Sequence, residues 1–174
     1  PMSLYESGDS SAHVSLEDLC NGVIKPQLTG EVDLKKIAYL ILRGGWPASI
    51  GLSTENAVLV PEMYLKNVVE EDVDKIDSRK RNKAKVWLLL RSLARGVSST
   101  MGKKKLKEDM ATVEQDSIDE ETIDDYLQLL AQLFILENQK PFSVALRSSL
   151  RVQQAEKLHF TDPSFACSLL GIRS

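Results

Sequence analysis

The sequence predicts a mainly α-helical chain whose second half has the element order of a winged helix with a small β-hairpin. Three observations carry this expectation. Apolar residues recur at helical spacing over 34–43, 53–73 and 83–99. Helix-start residues precede the periodic runs: Asp33, Ser53 or Thr54, Ser117 and Asp162. Residues 83–161 then read as helix, short helix, helix, strand, connection and strand.

Taken in order, Glu6–Ser11 is a polar loop. Ser15 caps a short helix to Cys20, which Asn21-Gly22 stops. Asp33 caps a helix from Leu34 to Arg43, with Leu34, Ile37, Ala38, Ile41 and Leu42 as its buried stripe. Gly44 suits the position after its last turn, and Pro47 forbids continuation. The next helix runs from Ser53 or Thr54 to about Val73, with Ala57, Val60, Tyr64 and Val68 on one face. Pro61 inside it predicts a kink or a start near Val60.

Lys83–Ser99 is a strong helix with Val86, Leu89, Leu90, Leu93 and Val97 inward. Trp87, Arg91 and Arg95 share another face. A shorter helix spans about Lys104 to Thr112. Ser117-Ile-Asp-Glu120 is a capping box for a helix to about Leu133. Phe134–Glu137 and Leu158–Thr161 read as strands, and the stretch 138–157 between them has no clear pattern beyond a turn at Asn138–Pro141. Asp162 with Pro163 at the first helical position starts a last helix, stopped by Gly171.

A chain of 174 residues can bury a core without disulfides or metal. Charged residues make up 27% and the hydrophobic group 43%, both ordinary globular values. No run of eighteen uncharged apolar residues crosses a membrane, and the N-terminus lacks the pattern of a signal peptide. Cys20 and Cys167 are far apart in apolar-periodic stretches and read as buried thiols in a reducing cytoplasm. Pro1 in place of methionine, and an abrupt end after an apolar helix, lead us to expect a piece of a longer protein.

Catalytic motifs do not emerge. Met101-Gly-Lys-Lys-Lys105 lacks the first glycine of a phosphate loop and follows no strand. There is no nucleophile elbow, no zinc-protease helix and no paired-cysteine motif. His13 lies in a polar loop. His159 reads as a strand histidine donating to the backbone or to a carboxylate. Asp119, Asp124 and Asp125 read as the solvated N-terminal face of a helix, where the macrodipole favours negative charge.

The net charge of −3 conceals a sharp separation. From Arg79 to Lys107 there are eleven Lys/Arg and no acid; from Glu108 to Asp125 there are nine acids and no Lys/Arg. A DNA-binding reading uses this basic block, chiefly Arg79, Lys80, Arg81, Lys103, Lys104 and Lys105. It is disfavoured because the third helix, which enters the groove in a winged helix, carries Asp119, Glu120, Glu121, Asp124 and Asp125. The alternative is that the two blocks pair across the domain. A second specific string is Arg43-Gly44-Gly45-Trp46-Pro47. The glycines permit a tight turn or close approach, and Trp46 or Pro47 offers a surface for an adenine ring.

The chain resembles the region that follows the ATPase core in a large group of predicted bacterial AAA-type ATPases that carry a C-terminal domain of unknown function. The strings behind the resemblance are Pro1–Gly8, Ile37–Ala48 with its Arg-Gly-Gly-Trp-Pro, Leu88–Arg95, Thr122–Leu127 with Leu133–Glu137, and His159–Ser164 with Leu169–Gly171. The resemblance implies an exit segment from the core over 1–32, a helical lid over 33–78 and a winged-helix module over 79–174. Gly44, Gly45, Trp46 and Pro47 would be the lid's nucleotide-approaching segment. ATP and magnesium would bind to the core upstream, and none is expected in this chain. A nuclease-like domain would follow downstream. The function so implied is a non-catalytic lid and winged-helix unit that passes nucleotide state to a protein partner.

Overall fold

The computed structural model describes residues 1–24, 33–76, 80–113, 118–142 and 155–174. These residues form a mainly helical fold with no β-strand among them. Arg79 and Ser117 lie outside the described residues, as does most of the stretch 138–157.

The N-terminal segment leads to α1 (Leu16–Cys20), capped by Ser15 as the sequence predicts. Its apolar residues do not pack: Leu16 and Leu19 are exposed, and so is Cys20, which was expected inside. Cys167 is half-buried, and burial, then the nearby Asp162 charge, pushes its thiol pKa up. Both thiols are free.

Helix α2 (Leu34–Arg43) starts at Asp33, whose carboxylate accepts from the Lys36 amide at 2.6 Å. Of its predicted stripe only Leu42 is buried; Leu34, Ile37 and Ile41 face solvent. A single 3₁₀ turn, Pro47–Ser49, follows. Pro61 divides the next run as expected. It has no N–H for the Ala57 carbonyl, so α3 (Thr54–Ala57) ends at Val58 and α4 (Leu59–Asn67) begins. A π-helical turn, Val68–Asp72, continues α4. The buried face is Ala57, Val58, Pro61, Leu65, Val68, Val69 and Val73, so Tyr64 and Val60 were placed one position off it.

Helix α5 (Lys83–Arg95) is the axis of the core. Asn82 caps it and Gly96 ends it, so Val97 lies outside and is exposed. Val86, Leu89, Leu90 and Leu93 are buried as predicted, joined by Leu88 and Ala94. Helix α6 (Lys103–Ala111) follows. Helix α7 (Glu120–Gln132) is capped by Asp119, whose carboxylate accepts from the Thr122 amide at 2.7 Å. That contact is also what holds the Asp119 pKa low.

The two predicted strands are reduced to isolated antiparallel bridges, Leu136 with Phe160 and Gln139 with Lys157. Phe134 adopts φ +55°, which breaks the extended run at its start. Residues 157–161 also touch Ser98 and Ser99: the Ser98 amide donates to the Leu158 carbonyl and the Leu158 amide to Ser99, each at 2.9 Å. Helix α8 (Pro163–Leu170) ends at Gly171, φ +71°.

Helix α8 packs on α2, α4 and α5, while α6 bridges α5 and α7. One hydrophobic cluster runs from Leu65, Val69 and Val73 through Leu89, Leu93, Leu106, Ile123 and Leu130 to Phe165. Phe165 is fully buried and ring-stacks with Tyr64 at 5.8 Å, with Trp46 at 5.3 Å from it and Phe160 at 6.3 Å. Phe165→Ala should therefore cost about 3–5 kcal/mol in denaturant unfolding, whereas Leu34→Ala should stay within about 0.5 kcal/mol.

Candidate functional site

The sequence singles out Arg43–Pro47, and the structure makes it the junction of three chain regions. Helix α2 stops at Gly44, which takes φ +67° and ψ −173°. A side chain there would strike the Asp162 carboxylate, the Ser164 hydroxyl and the Trp46 indole, so both conformation and space demand glycine. The turn aims the Gly45 N–H at Asp162 Oδ2, 2.8 Å away. The Gly45 carbonyl accepts from the Met2 amide at 2.6 Å, and a Cβ on Gly45 would collide with the Met2 backbone. Trp46 Nε1–H donates to Ser164 Oγ at 3.0 Å.

Asp162 is 3% exposed. Its Oδ1 accepts from the Ser164 amide at 2.9 Å and the Ser164 hydroxyl at 2.5 Å. Among the described residues the carboxylate is thus satisfied by N–H and O–H groups, with the N-terminal dipole of α8 behind them. The sequence identifies Asp162 as a helix cap. Its second role, receiving Gly45 from across the chain, has no local signal.

Arg43 is the other buried polar anchor, 4% exposed. Its Nη1 lies 2.8 Å from Asp9 Oδ2, Nη2 donates to Ser7 Oγ at 3.3 Å and Nε to the Gly44 carbonyl at 3.1 Å. The guanidinium also sits over the Tyr39 ring, 5.8 Å from its centroid. The Ser7 hydroxyl, and then Arg43, hold the Asp9 carboxyl below the usual aspartate range. Ser49 closes the turn by donating to the Arg43 and Trp46 carbonyls at 3.2 and 2.7 Å.

Between the N-terminal segment and α2 lies a groove of about 770 Å³. Gly44, Gly45, Met2, Leu4, Ile37 and Ile41 line it, and its charged lining residues are Lys36, Asp9 and Asp162. Trp46 is not among the lining residues. Its ring packs against Tyr64 and Phe165, with the Tyr64 centroid 4.8 Å away. Pro47 is exposed at the start of the 3₁₀ turn. The four residues expected to approach a nucleotide are therefore contiguous in the fold, but only the two glycines face the groove.

The charge blocks meet across the second half. Arg81, its side chain 5% exposed, donates to Asp125 Oδ2 through Nε and Nη2 at 3.3 and 3.2 Å, and to the Val73 carbonyl. Lys83 lies 3.4 Å from Glu70 and 3.8 Å from Asp74. Arg95 pairs with Asp109, and Lys103 with Asp124 at 2.5 Å. The Arg95 contact comes first among the influences that lower the Asp109 pKa. Lys80, Lys104 and Lys105 are exposed. His159 Nδ1 is 3.3 Å from Ser98 Oγ, a hydroxyl in place of the backbone or carboxylate expected. Among the described residues no group of His, Cys, Asp and Glu is placed to hold a metal, and no helix is long and apolar enough to cross a membrane.

These features define a helical domain whose N-terminal segment and last helix are locked to one glycine turn. Residues 34–174 match the family described as a domain of unknown function, DUF8612, and the chain belongs to that family. No curated protein and no solved structure matches it.

Gly44→Ala should destabilise the whole domain by about 2–5 kcal/mol, combining a glycine-only conformation with a clash at Asp162. Gly45→Ala should instead release residues 1–10, seen as faster amide exchange and proteolysis there with a nearly unchanged unfolding midpoint. Acid should act on the same segment. The lowered Asp9 pKa contributes stability that is complete above the unfolded-state value and is lost as pH falls through the folded-state value. Protection of the amides of residues 2–9 should therefore fall below about pH 4, and Arg43→Ala should weaken that pH dependence while leaving the part due to Ser7.

Proposed function

We propose that this chain is a non-catalytic coupling unit of a cytoplasmic AAA-type ATPase, in which a helical lid and a winged-helix module pass nucleotide state to a protein partner. The observation that carries the reading is the double use of Gly45. Its carbonyl holds the N-terminal segment through Met2, and its N–H holds α8 through Asp162. A displacement of the N-terminal segment therefore acts on a residue bonded directly to the cap of α8. The segment is the one that the family resemblance makes the exit from the ATPase core, and ATP with magnesium belongs to that core.

The winged-helix assignment has support in the order α5, α6, α7 and in residues 157–161. These lie between Ser98–Ser99 on one side and 135–139 on the other, a rudimentary three-segment arrangement with a small hairpin-like pairing. DNA binding through the 79–107 block has less behind it. Arg81, Lys83, Arg95 and Lys103 are engaged by carboxylates within the domain. Lys104 and Lys105 remain as exposed cations at the start of α6.

In the parent protein carrying its ATPase core, Gly45→Ala should lower ATP turnover about tenfold. Unchanged turnover, with the N-terminal segment shown to be released, would sink the coupling role. The chain alone should not retard duplex DNA at low salt; retardation that weakens steeply with salt and is lost in Lys104→Ala/Lys105→Ala would establish the DNA reading instead.

A further inference from the structure

The N-terminal segment sits on the helical domain as a bound peptide sits on its receptor. None of residues 1–24 is buried, and none belongs to the hydrophobic core. Residues 3–10 satisfy much of their hydrogen bonding from within. The Ser3 amide and hydroxyl donate to the Glu6 carboxylate, the Ser7 amide to the Ser3 carbonyl at 3.1 Å and the Asp9 amide to the Leu4 carbonyl at 2.8 Å. Leu4 and Tyr5 stay exposed. The segment is a self-contained turn, tied to the domain by polar contacts at Met2 on one side and at Ser7 and Asp9 on the other.

The receiving side is built differently. Arg43 is buried at the end of α2, with its Nε engaged by the Gly44 carbonyl. Its Nη1 and Nη2 donate to Asp9 Oδ2 and Ser7 Oγ, and the Ser7 hydroxyl in turn donates to Asp9 Oδ2 at 2.7 Å. Two residues on, the Gly45 carbonyl takes the Met2 amide. The family domain covers residues 34–174, so both receiving residues lie inside it and the residues they receive lie outside. A buried guanidinium that loses its carboxylate is costly. The domain therefore carries a site that calls for an acidic ligand from beyond its own boundary.

We propose that Arg43 and Gly45 form a peptide-binding socket for a short turn carrying a hydroxyl residue two positions before a carboxylate, and that residues 2–9 fill it as a tethered, exchangeable ligand. A free peptide with the same Ser-x-Asp pattern takes the socket when the tethered copy lets go. Specificity lies in the fork of the guanidinium: Nη1 and Nη2 receive one anionic and one neutral acceptor side by side, and the Ser7–Asp9 hydrogen bond presets that pair. The tether sets the competition, because a segment on the same chain acts at an effective concentration of order 1 mM. The socket is tested on this chain alone, independently of any ATPase core.

The experiment is fluorescence anisotropy of a labelled synthetic peptide of residues 1–14, titrated with the full 174-residue chain and with its Asp9→Asn and Asp9→Asn/Arg43→Gln variants. Asp9 lies outside the core, so the first variant should keep the native circular dichroism spectrum. The peptide should bind the Asp9→Asn chain at least about tenfold more tightly than the native chain, whose own segment competes for the socket. Adding Arg43→Gln should abolish binding. A peptide carrying Asp9→Asn should bind the Asp9→Asn chain at least about tenfold more weakly than the native peptide does, an arm that decides the matter even where the Arg43 variant fails to fold. Absence of binding to the Asp9→Asn chain up to its solubility limit overturns the proposal. So does equal affinity for the native and Asp9→Asn chains, equal affinity of the two peptides, or a folded Arg43→Gln variant that binds as tightly as its parent.

Discussion

The carboxylate of Asp162 must be taken out of water and fully hydrogen-bonded at the same time, and much of the architecture follows from how that is done. An unpaired charge in the interior is costly, and among the described residues the partners of this carboxylate are N–H and O–H groups. The donors are the Ser164 amide and hydroxyl and the Gly45 amide, brought from the first and last thirds of the described chain. To deliver Gly45, α2 must end sharply, which is why Gly44 takes a conformation that side chains resist. The same turn sets Trp46 against Phe165 and Tyr64, so the polar clamp and the aromatic cluster are two faces of one turn. Arg43, one residue earlier, is handled differently. It brings its own counter-charge, Asp9, from the N-terminal segment.

The second half solves a different electrostatic problem. Helices α5 and α6 carry the basic block, and α7 with the end of α6 carries the acidic one. Packing α6 between α5 and α7 brings opposite signs within ion-pair distance: Arg95 to Asp109, Lys103 to Asp124, Arg81 to Asp125. Most of these pairs are partly exposed, so each contributes little alone. Their collective effect is to specify which helix faces which, since any other arrangement would bring like charges together. Arg81 goes further, because its buried guanidinium ties the π turn's end at Val73 to α7.

Helix ends in this chain are set by local signals, and the partners of those ends are set at long range. Asp33, Ser15 and Asp162 cap their helices because capping depends on neighbours a few residues away. The interior face of α5 was legible for the same reason, its apolar period being unbroken until Gly96. The face of α2 was periodic too, yet Leu34, Ile37 and Ile41 are outside. Periodicity reports that a face is apolar and is silent about what covers it. Val60 and Tyr64 each lie one position before the buried Pro61 and Leu65, and apolar spacing alone does not distinguish the two neighbouring series. In the junction, the double glycine was visible as a special backbone. That it serves Asp162 on one side and Met2 on the other is a long-range fact. No pattern announced Arg43 as buried, since its neighbours read as an ordinary helix end.

The π turn over Val68–Asp72 adds one residue to a helix that is otherwise regular. Each residue of an α-helix turns the chain by about 100°. Val68 and Val69 before the extra residue and Val73 after it all point into the core. Val69 and Val73 are four residues apart and would share a face in an unbroken α-helix too, so the wider turn changes the helix end without moving its buried face. At that end the Val73 carbonyl accepts from the Arg81 guanidinium, which also holds Asp125, so the close of the turn is fixed by a residue beyond the helix.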